Sequence, residues 1–110
     1  MIQNTIEKIE NRVKKIDSLK DESKTQLLNL LSTLKSEIAE LSETKGEHAE
    51  SIIGFTDIST HEATRQDKNP QLLKLSIDGL SSSVEGFEVS HPRLVGTVNS
   101  ICVMLANLGI

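Results

Sequence analysis

The sequence predicts an all-α fold: an antiparallel bundle of four or five amphipathic helices with coiled-coil-like packing, assembled as a homodimer. Three observations carry this expectation. Apolar residues recur at alternating steps of three and four along most of the chain, the period of a helix burying one stripe. Only two aromatics are present, Phe55 and Phe87, so the core is aliphatic, as suits slender helices packed side by side. The alternation of β-branched and aromatic residues between turn dipeptides that marks strands is missing. A chain of 110 residues fits one domain.

Each element follows from its stripe and its ends. A first helix runs from about Ile2 to Ile16 on Ile2, Ile6, Ile9, Val13 and Ile16. This stripe is so clean that another helix is expected to cover it, and it is read as an oligomer seam. Ser18 is placed to cap the second helix, with Asp21 in its first turn. That helix carries Leu27, Leu31, Leu34, Ile38 and Leu41, widened by Leu28 and Leu30. Thr44 and Glu47 have capping-box spacing around Gly46, which favours a break there. The third segment, Glu47 to Gln66, has a stripe of small residues, Ala49, Ile52, Thr56, Ser59 and Ala63, flanked by Phe55. It is the weakest helix of the set. Asn69-Pro70 opens a fourth helix along Leu73, Ile77, Leu80, Val84 and Phe87. Ser90 and Pro92 open a fifth along Leu94, Val98, Ile101, Leu105 and Leu108. Gly109 is expected to end it with positive φ, and Ile110 to fold back on Leu105.

Charge and composition narrow the function classes. Formal net charge is −4, and Lys14 and Lys15 stand among acidic residues, so the chain has no basic face for nucleic acid. The single cysteine, Cys102, permits no internal disulfide and reads as a small buried hydrophobe in a reducing cytoplasm. The amino terminus is polar and unlike a secretory signal. Leu94 to Ile110 is uncharged but short and interrupted by Thr97, Asn99, Ser100 and Asn107, so a buried helix explains it better than a membrane span.

Catalytic and metal motifs fail on inspection. His61-Glu62 begins like a zinc-protease helix, but Arg65 stands where the second His belongs. Asp57 and His61 are spaced to pair on one helix face. Glu88 and His91 have the Glu-x-x-His spacing of di-metal bundles, in a single copy that crosses a helix boundary. They serve the turn better: His91 toward a backbone carbonyl, Glu88 toward the next helix's amino end. No catalytic group, cofactor or metal is expected.

The stretch Phe87-Glu88-Val89-Ser90-His91-Pro92-Arg93-Leu94, followed by Leu105-Ala106-Asn107-Leu108-Gly109-Ile110, resembles the small bacterial proteins grouped as the domain of unknown function numbered 4404. Phe87, Glu88, Ser90, His91, Pro92, Leu94, Asn107, Gly109 and Ile110 match that pattern. The resemblance implies a bacterial, cytoplasmic, helical protein and supplies no chemistry. Against it, residues 1–41 read as an amino-terminal helical pair, 42–70 as an insertion, and 71–110 as the motif-bearing pair. The expected function is a non-enzymatic, homo-oligomeric interaction or scaffold module. The alternatives are a metal- or ligand-binding bundle using Glu88 and His91, and a peripheral membrane protein.

Overall fold

The computed structural model describes residues 2–17 and 19–109. Among these residues the chain forms five helices and no strand: α1 (Ile2–Lys14), α2 (Asp21–Ser42), α3 (Gly46–Thr64), α4 (Pro70–Ser83) and α5 (Pro92–Leu108). Among the described residues no helix is long and apolar enough to cross a membrane.

The predicted stripes are the core. Leu27, Leu31, Leu34, Ile38 and Leu41 of α2 are all buried, as are Leu94, Val98, Ile101 and Leu105 of α5. Each such side chain contributes roughly 1.5–3 kcal/mol of transfer free energy. The α1 stripe has a different partner from the one expected. Ile6, Ile9 and Val13 are fully buried within one chain, where α1 lies against α2 and α3. Ile2 and Ile16 are half-buried at its ends. The stripe needs no second copy to cover it.

Helix α3, which makes up most of segment 42–70, lies at the centre. Helix α3 alone packs against all four other helices. Its small stripe makes this possible: Ala49, Ile52, Thr56, Ser59 and Ala63 are all buried. The threonines cost little there, because Thr56 Oγ1 donates to the Ile52 carbonyl at 2.8 Å and Thr60 Oγ1 to the Thr56 carbonyl at 2.8 Å. The expected Asp57–His61 pair is replaced by contacts with α1. Lys8 approaches Asp57 at 3.5 Å, and Arg12 Nη1 donates to His61 Nδ1 at 3.0 Å.

Helix ends agree in part. Asn69 Oδ1 accepts from the Leu72 amide at 3.1 Å and Pro70 begins α4, as its sequence requires. The chain does break before Gly46, yet Lys45 occupies the N-cap without a side-chain bond. Ser18 lies outside the described residues, and Lys20 holds the N-cap position of α2. Helix α4 stops at Ser83, earlier than its stripe suggests. Val84 and Phe87 remain buried although the backbone has left the helix. Gly109 has φ −79°, not the left-handed value expected, and Ile110 lies outside the described residues. A methyl group on Gly109 would meet Leu73 Cδ2, so that side chain would have to shift to admit it.

Candidate functional site: the α4–α5 corner and the α3–α4 face

The motif residues build the corner between α4 and α5. Gly86, at φ +95°, reverses the chain there. Its amide donates to both oxygens of Glu88, at 2.7 and 3.1 Å. The Phe87 ring is buried and sits edge-on between two imidazoles, His48 of α3 at 5.4 Å and His91 at 5.6 Å. Ser90 Oγ lies 2.9 Å from His91 Nδ1. The His91 amide donates to the Phe87 carbonyl at 2.8 Å, after which Pro92 starts α5 and Leu94 enters the core.

These bonds correct two expectations. Ser90 does not cap α5; His91 holds the N-cap position without a side-chain bond. Glu88 faces back to Gly86, and His91 meets Ser90 where a carbonyl was expected. Asn107 and Gly109 lie at the far end of α5, Asn107 exposed and Gly109 against Leu73. The structure therefore brings together Phe87, Glu88, Ser90, His91 and Pro92, and leaves the carboxy-terminal half of the motif apart. Among the described residues no group of three or more His, Cys, Asp and Glu is placed to hold a metal. Cys102 is buried on α5, and burial first, then the charge of Asp78, pushes its thiol pKa up.

A second surface is the outer side of the α3–α4 hairpin. The Phe55 ring lies on Gly79, which fixes the two helices side by side. Ser51, Phe55 and Ile58 follow at helical spacing on α3, and Leu72, Leu75, Gly79 and Ser82 on α4. These rows adjoin where the helices meet. Ile58 is 52% exposed, Leu75 66%, Leu72 42% and Phe55 37%. Four exposed large hydrophobics on adjoining rows are unusual in a chain a quarter charged. Two ion pairs border this face: Glu62 with Arg65 at 3.0 Å, and Lys74 with Asp78 at 2.8 Å.

The family model for the domain of unknown function DUF4404 matches residues 27–110. The chain belongs to this family. No curated protein and no solved structure matches it. The DUF4404 match starts inside α2 and leaves α1 outside, so the corner, α3 and the α3–α4 face all lie within the family region. The exposed rows escape a search for core stripes. Their signal is a second apolar row, Leu72 and Leu75 leading to Gly79, turned away from the Leu73 and Leu80 stripe.

Proposed function

We propose that this DUF4404 chain is a non-enzymatic module that binds another polypeptide through the α3–α4 face. The observation that carries the reading is the exposure of Phe55, Ile58, Leu72 and Leu75 on adjoining rows. Apolar surface of this kind, ringed by polar residues, marks association sites. The corner supports the same reading from the other side. Glu88 is held by the Gly86 amide and His91 by Ser90 and Phe87, so their polar groups serve the turn. The acidic balance disfavours nucleic acid as the partner. A bacterial cytoplasm goes with this reading, because one buried thiol needs no oxidising compartment.

The test is a photo-reactive amino acid placed at Leu75, and separately at Ile58, in the full chain inside living cells of the native host. A covalent adduct with a polypeptide at both positions is expected. Absence of any adduct at either would overturn the interaction reading. Glu88→Ala together with His91→Ala should leave the adduct in place.

A further inference from the structure

We draw no further inference here: the strongest candidate, the apolar groove between α4 and α5 lined by Leu73, Ile77, Ala106 and Gly109, carries nothing because nothing in the structure shows what covers it.

Discussion

The Phe55 ring rests on the Cα of Gly79, so close that a methyl group there would come within 2.6 Å of the ring's Cδ1. One glycine thus sets how α3 and α4 meet. Gly79→Ala should destabilise the fold by about 1 kcal/mol, despite alanine's better helix propensity. In a Phe55→Ala background the same change should become stabilising by about 1 kcal/mol, because only the propensity gain remains. Denaturant midpoints of the four proteins close the cycle. Equal effects in both backgrounds would refute the steric coupling.

Gly109 tests a parallel contact at the other end of α4. Its backbone is in the right-handed region, so alanine meets no torsional strain there. Gly109→Ala should nevertheless lose roughly 1–2 kcal/mol through collision with Leu73. Adding Leu73→Ala should abolish that increment. A loss independent of residue 73, seen in urea titrations, would restore a backbone explanation.

The α1 stripe yields an expectation about folding. Ile9 is fully buried inside a single chain. Ile9→Ala should cost about 2–4 kcal/mol, and Ile9→Glu should lower helix content at 222 nm along with stability. A folded, stable Ile9→Glu monomer derived from a wild-type dimer would instead place the subunit boundary on α1.

Cys102 supplies the pH dependence. Burial first, then the charge of Asp78, raises its thiol above the ordinary value of 9.0. The folded state therefore holds this proton more tightly than the unfolded chain. Its contribution to stability is complete below pH 9 and declines as the pH rises above that value. Alkylation at pH 8 should be slower than for a free thiol in the native protein and normal in denaturant. Asp78→Asn should speed the native reaction. Equal rates for native and unfolded protein would contradict the burial of this side chain.

The core was legible in the sequence because a helix that buries one side writes its period into the chain. The stripes of α2 and α5 are buried where the spacing placed them. What covers a stripe is not written locally. Ile6, Ile9 and Val13 look the same whether a second chain or α3 lies on them. The end of α4 was misjudged for a related reason: Val84 and Phe87 keep helical spacing, yet they reach the core from a turn that Gly86 reverses. The turn roles of Glu88 and His91 are legible in kind but not in partner, since a backbone amide two residues away competes with every helix end in reach of Glu88. The exposed α3–α4 rows were present as letters, but reading them required knowing which side already faced the core.

Helix α3 lies against every other helix, and this governs how the molecule can come apart. A plane that parts α1 and α2 from the later helices cuts the contacts of α3 with both of them, and those of α5 with α2. Loosening α3 strips the inner surface from all its neighbours at once. The chain should therefore open as one cooperative unit, and a cut on either side of that rod yields fragments without a core of their own. Any change that reaches α3 from its outer surface, such as a neighbour settling on Phe55, is then felt across the whole bundle.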